Sequence, residues 1–245
     1  METAAITASH HRSQLVIIGD SRVGIPSLSW QRFTNLFGGP INSTSPLEPE
    51  FAQQLVELGY NRLPTGLAGG PDELFELHVQ AALEFILAGR VIRYGQDRRF
   101  EVRPDGIALP HERFRALYDA KAYANGYPVT AESLRQFKTY VDDFVSRYEA
   151  YLLRLNSFIV ISSTFAQGDA ALTQRHQEFI ASAGIPLSFM RAETLAGIVR
   201  LMSANPAYRR SIDWARIFAS PVVELNGVEE ALHAAQADRI VTRGS

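Results

Sequence analysis

The chain has 245 residues, 46% of them hydrophobic and 20% charged, and a formal net charge of −2. That composition supports a packed core and excludes a wholly disordered chain, while the near-neutral charge excludes blanket electrostatic binding of a polyanion, so any contact with nucleic acid has to be local. The absence of cysteine rules out disulfides, thiolate zinc sites and cysteine nucleophiles, and accords with a cytoplasmic setting. Neither a signal peptide nor a membrane span is expected, because the longest apolar runs, such as Phe158 to Ile161, are far too short.

Over residues 1–70 the pattern predicts one strand, Gln14 to Gly19, and one helix, Glu48 to Tyr60, with a loop between them marked by Gly, Pro, Ser and Asn from Gly38 to Pro46. A glycine-rich approach, Gly66 to Gly70, leads into Pro71. Proline suits the first turn of a helix because its missing donor is not needed there, and a helix from about Asp72 to Ala88 follows. From Arg90 to Tyr123 the pattern changes to short strands: Val91 to Tyr94, Phe100 to Leu109 and Phe114 to Tyr123. A long helix, Ala131 to Leu155, is predicted next, because Leu134, Phe137, Val141, Phe144, Tyr148, Leu152 and Leu155 recur at spacings of three and four.

The run Phe158 to Ser162 is short, continuous and β-branched, as a strand covered on both faces should be. A helix (Ala170 to Ser182), a strand (Pro186 to Met190) and a helix (Ala192 to Met202) complete an α/β succession. The predicted organisation is an N-terminal segment at 1–70, an α/β core at 71–205 with a mixed central sheet flanked by helices, and a C-terminal extension at 206–245 of mixed helix and strand. Arg90, Arg93, Arg98, Arg99 and Arg103 form a basic segment interrupted only by Asp97 and Glu101. It reads either as a DNA contact or as a solvated strand pair.

In the strand-rich region, Pro104-Asp105-Gly106 is followed by Asp119-Ala120-Lys121, the second aspartate fourteen positions after the first. Side chains alternate across a strand, so Asp119 and Lys121 share a face, and a neighbouring strand can bring Asp105 alongside them. Two carboxylates and an ammonium would then converge. Mg²⁺ commonly takes one or two carboxylates and keeps several waters, and phosphodiester hydrolysis needs a cation to neutralise the charge that builds on phosphorus. In that chemistry Asp105 and Asp119 hold the metal, and Lys121 orients the attacking water or stabilises the developing charge. The same spacing is equally that of a surface hairpin with an ion pair.

The segment Pro104-Asp105-Gly106, then Asp119-Ala120-Lys121-Ala122-Tyr123, then Gly126-Tyr127 and a helix reaching Tyr140-Val141, resembles the cleavage domain of FokI-type (type IIS) restriction endonucleases, within the PD-(D/E)XK nuclease superfamily. The strand Phe158 to Ser162, followed by Phe165 and Gly168 leading into a helix, keeps that family's order, and the likeness runs from about Asp72 to Leu195. The resemblance implies a PD-(D/E)XK core and a DNA endonuclease using Mg²⁺, with Mn²⁺ as a substitute. Asp105 and Asp119 are then metal ligands and Lys121 the catalytic lysine. It also points to Glu84, on the helix before the motif, as a further acidic residue at the metal or its water; an amphipathic helix edge is the competing account. In that family the helix after the lysine dimerises through a reciprocal aspartate and arginine, and those positions here hold Arg135 and Thr139. Because one such site cuts one strand of double-stranded DNA, a homodimer or a heterodimer with a recognition or second nuclease subunit is expected, through other contacts. The alternatives are a defence or repair nuclease of the same superfamily and a non-catalytic DNA-binding subunit.

Other motifs carry less. Gly19-Asp20-Ser21 after a strand looks like the nucleophile block of GDS-type esterases, but no histidine has an aspartate three positions before it. Gly66 to Gly70 lacks the Gly-Lys-Ser/Thr ending of a phosphate-binding loop. His10 and His11 are adjacent and the other histidines scattered, so none has metal-ligand spacing. Gln136 and Tyr140, four apart, resemble a motif of some related nucleases and equally well serve helix-face packing.

Overall fold

The computed structural model describes residues 45–94, 103–111, 114–148 and 154–241, and the backbone of a two-stranded hairpin, β1 (Thr7–His11) and β2 (Gln14–Ile18). The Gly19-Asp20-Ser21 block, most of the loop expected from Gly38, Arg98 and Arg99, the first residues of the strand expected from Phe100, and the turns expected just after Tyr148 lie outside the described residues.

Among the described residues the main sheet has six strands in the order β3-β4-β5-β6-β7-β8. β3 (Arg90–Arg93), β4 (Gly106–His111) and β5 (Phe114–Lys121) form an antiparallel meander. β6 (Ser157–Ser162), β7 (Leu187–Arg191) and the short β8 (Val222–Val223) are added in parallel. Parallel neighbours cannot be joined by a hairpin. The chain therefore returns from β5 to β6 through α3 (Ala131–Tyr148) and from β6 to β7 through α4 (Asp169–Ala183). The start of α3 is fixed by a reciprocal pair: Ser133 N–H donates to Thr130 Oγ1 at 3.1 Å, and Thr130 N–H to Ser133 Oγ at 3.3 Å. α4 stops at Gly184, whose φ of 74° suits glycine.

Alternation along the strands divides the interior. Tyr118, Ala120, Ile159, Ile161 and Met190 face one side, against α1 (Phe51–Gly59), α2 (Pro71–Ile86) and α5 (Ala192–Ala204). Leu117, Phe158, Val160 and Phe189 face the other, against Phe137, Tyr140 and Val141 of α3 and Leu172 and Phe179 of α4. Every residue of β6 is buried, which is why its sequence reads as a continuous apolar run. The boundaries expected after 70 and 205 are not breaks in packing. Phe51 and Leu55 of α1 share a core with α2, and so do Trp214 of α6 (Trp214–Ile217), Phe218, and Val228 and Leu232 of α7 (Leu225–Val241).

The long helix is shorter than its periodicity predicts. By Asn156 the chain is already committed to the sheet, because Asn156 N–H donates to Arg115 O and Arg115 N–H to Asn156 Oδ1, both at 2.8 Å. Leu155 is buried beside α3 without being helical. Among the described residues no helix is long and apolar enough to cross a membrane.

Candidate active site

The site forms where β4 begins and β5 ends. Leu117 points toward α3, and two-residue steps carry Asp119 and Lys121 to the same face. Gly106 is the register partner of Tyr118, so Asp105 arrives next to Asp119. A Cβ on Gly106 would stand 2.3 Å from Ile92 O and 2.5 Å from the Tyr118 hydroxyl. Only glycine lets the three strands close this tightly beside Asp105. Tyr94 N–H donates to Asp105 O at 2.7 Å, and Asp105 Oδ2 accepts the Ala120 N–H at 2.7 Å. Asp105 is thus held from both neighbouring strands.

Asp119 is 1% exposed, and its buried Oδ2 has Lys121 Nζ at 2.7 Å and, among the described residues, no hydrogen-bond partner besides it. Asp105 keeps some contact with solvent but sits deep among other atoms. Burial first, and then the Asp119 charge, raise its carboxyl well above the usual carboxylate range. For Lys121, burial works against the charge, but Asp119 and Asp105 outweigh it and hold the ammonium above its ordinary range. The structure therefore brings Asp105, Asp119 and Lys121 together.

A helix glutamate whose charge acts on this group is Glu76 of α2. Glu76 contributes to the upward shift of Asp105 and is itself raised, chiefly by burial, with Arg93 pulling the other way from 3.5 Å. Glu84 lies eight residues further on, roughly 12 Å along the helix axis. It sits at the end of α2 that turns into β3, where its carbonyl accepts the Gly89 N–H at 3.3 Å. The sequence alone does not say which end of α2 meets the start of β4.

Tyr140 is the other neighbour, one that the sequence left open between a nuclease motif and helix-face packing. It does pack, stacking on Phe158 at 6.3 Å, and its hydroxyl also accepts from Gln136 Nε2 at 2.5 Å. Burial, then the Asp119 charge, push the phenol up to about 12. The spacing of four between Gln136 and Tyr140 was the available signal. The Gly126-Tyr127 turn fastens the end of β5 to the chain after β6: Tyr127 N–H donates to Thr164 O at 2.9 Å and Ala166 N–H to Tyr127 O at 3.1 Å. Gly126 has φ 89°, and a Cβ there would press on Phe165 and Ala166 backbone at 3.1 Å.

Among the described residues no three His, Cys, Asp or Glu side chains form a ready metal cage. The donors are two converging carboxylates, one with a buried oxygen served by a single cation. Hard oxygen donors in this small number fit Mg²⁺ and do not fit zinc.

The sequence matches the family model described as FokI, cleavage domain, over residues 40–219. The fold is similar to the solved structure of restriction endonuclease FokI, with 17% identity and a TM-score of 0.53. It is also similar to restriction endonuclease FokI bound to DNA, with 15% identity and a TM-score of 0.52. Each match covers 73% of this chain and 31% of that chain, so the likeness spans less than a third of the FokI chains. No curated protein matches the sequence. With the meander carrying Asp105, Asp119 and Lys121 inside the matched region, the chain belongs to the FokI cleavage-domain family.

Proposed function

We propose that this chain is a Mg²⁺-dependent endonuclease of the type IIS restriction kind, cutting phosphodiester bonds of double-stranded DNA. The observation that carries the reading is the convergence of two carboxylates and a lysine on one strand meander, with Lys121 Nζ 2.7 Å from Asp119 and Asp105 clamped to Ala120.

Mg²⁺, or Mn²⁺ in its place, would be held by Asp105 and Asp119 and would supply neutralisation of the charge that builds on the phosphate. Lys121, kept as an ammonium by its two acidic neighbours, donates hydrogen bonds and does not act as a general base. Its place is beside the attacking water or the developing oxyanion. Glu76 is a third acidic group, set to orient water at the edge of the site.

A break in both strands requires a second active site, from another copy or from a different subunit. The positions of the family's reciprocal aspartate and arginine hold Arg135 and Thr139 here, so that pairing cannot form and association would use other contacts. Reading of a target sequence falls to a partner or to chain outside the nuclease fold.

The test is plasmid DNA with Mg²⁺, run beside a chelator control and an Asp119→Ala variant. Cutting is expected in the first tube alone, and equal cutting in all three would sink the mechanism.

A further inference from the structure

Just beyond the lysine, the chain leaves an aromatic ring outside the core. Tyr123 is 42% exposed, although Tyr127 beside it is buried and Ala122 before it packs inward. A lone exposed apolar side chain ordinarily needs no explanation, but this one is held in place. Its N–H donates to Gly59 O at 2.9 Å, at the end of α1, and its carbonyl accepts from Ser163 Oγ at 2.5 Å, just after β6. Its ring meets that of Tyr127 edge to face, with centroids 5.2 Å apart. Tyr127 is fixed in turn, because its hydroxyl donates to Ser133 Oγ at 3.0 Å in the first turn of α3.

The ring stands at the candidate active site. Tyr123 follows Lys121 by two residues, at most roughly 7 Å of chain. The Tyr127 phenol, in contact with it, is raised mainly by burial, and the charges of Lys121 and Asp119 also act on it in opposite senses. The pair of rings therefore borders the group formed by Asp105, Asp119 and Lys121. An exposed ring with a fixed backbone and a fixed neighbour loses little freedom when a ligand covers it, which is the condition for a preorganised contact.

We infer that Tyr123 is a substrate-positioning contact, its exposed ring packing against the deoxyribose next to the phosphate being cut. The inference rests on the nuclease reading for the identity of its ligand. A phosphate held beside Lys121 brings its flanking sugar within reach of the ring. In a duplex the base faces are stacked on one another and out of reach, so the sugar is the apolar surface on offer. Contacts to sugar and phosphate fix register without reading sequence. Tyr123 thus sets where along the strand the attack falls relative to the two carboxylates, while the choice of target stays elsewhere.

The test is single-turnover cutting of plasmid DNA with Mg²⁺ over a range of enzyme concentrations. Tyr123→Ala removes a contact made alike before and during cutting. The enzyme concentration for half-maximal rate should rise roughly tenfold, the scale of withdrawing one ring face from water, while the saturated rate holds. Tyr123→Phe keeps the ring and is expected to rescue half-saturation. A saturated rate that falls at unchanged half-saturation would mean that the substitution acts through Lys121, and a phenylalanine variant as weak as the alanine one would mean that the hydroxyl is used; either overturns the inference. So does an alanine variant indistinguishable from the parent. Nitration of the unaltered chain, read residue by residue, needs no variant to fold. With a short random-sequence duplex, and Ca²⁺ in place of Mg²⁺ to hold the complex uncut, Tyr123 should be modified in the free chain and protected in the complex. Tyr208, beyond the far end of α5, should gain no protection. Absence of protection at saturating duplex overturns the inference, and so does protection that needs only more protein and no DNA, which would assign the ring to a second copy of the chain. Plasmid cutting by the unaltered chain with Mg²⁺ reports separately on the nuclease reading, so the failure of either is recognised alone.

Discussion

Asp105 accepts the backbone N–H of Ala120 at 2.7 Å, which fastens the first carboxylate to the peptide lying between the second carboxylate and the lysine. Asparagine can accept the same bond without bringing a charge. Asp105→Asn should therefore fold like the parent, with an unchanged melting temperature, and cut plasmid DNA slower by about 10²–10³-fold, the usual cost of removing one electrostatic contributor to a transition state. A variant that cuts at the parental rate would exclude Asp105 from the site.

Metal affinity should depend on pH in a definite direction. Burial and Asp119 raise the Asp105 carboxyl well above its usual range, so cation binding must displace a proton that Asp105 holds. Mg²⁺ binding is expected to tighten as pH rises, by up to about tenfold per unit, the limit for one proton released. Calorimetric titration at several pH values in the absence of DNA measures this. A pH-independent affinity would show that Asp105 is already ionised or not a ligand.

Glu76 and Glu84 are separated by two turns of one helix, and their glutamine variants form a matched pair. Glu76→Gln should reduce the single-turnover cutting rate by about tenfold or more, a modest loss beside that expected for the metal ligands, while Glu84→Gln stays near the parental rate. The reverse ranking would restore Glu84 to the role implied by the family resemblance.

Gly106→Ala tests the close approach next to Asp105. Its Cβ would meet Ile92 O and the Tyr118 hydroxyl at 2.3 and 2.5 Å, and at least one of these contacts is backbone that cannot rotate aside. Overpacking of this kind costs about 1–3 kcal/mol. Chemical denaturation should show that loss, and cutting should fall with it because Asp105 is the next residue.

His78 gives the fold an acid sensitivity independent of the site. It is fully buried, stacked on Phe51 at 5.1 Å, with Nδ1 2.8 Å from Leu74 O; burial lowers its pKa from 6.5 to about 4. Because the folded value is the lower one, the unfolded chain takes up the proton first as pH falls. The stabilisation is complete above pH 6.5 and is lost progressively toward pH 4, amounting to about 3 kcal/mol. As pH falls from 6.5 toward 4, the denaturation midpoint of the parent should drop relative to that of His78→Phe, which has no imidazole to protonate; parallel curves would contradict the shift.

The sequence made some of this legible through periodicity. Period-two alternation placed Asp119 and Lys121 on one face, and the apolar run at 158–162 announced a strand buried on both sides. What stayed hidden was long-range. Nothing in α2 says that its first half, and not its second, lies against the start of β4, so Glu76 went unnoticed beside Glu84. The periodicity of α3 continues through Leu155 although the helix does not, because a buried leucine keeps phase with a helix by coincidence. Trp214 and Phe218, four apart, belong to the main core, yet β8 is two residues long and too short to leave a pattern. A residue such as Tyr140 can be packing and site at once, and spacing cannot separate the two.

The two rims of the main sheet also bear on how copies of this chain can meet. Among the described residues one rim is β3, four residues with arginine at each end, and the other is β8, two residues long. Short, charged rims are poor templates for strand addition. Under the proposed function, two active sites meeting on one duplex would join through side chains on helical or loop surfaces, since these rims offer little purchase for strand addition.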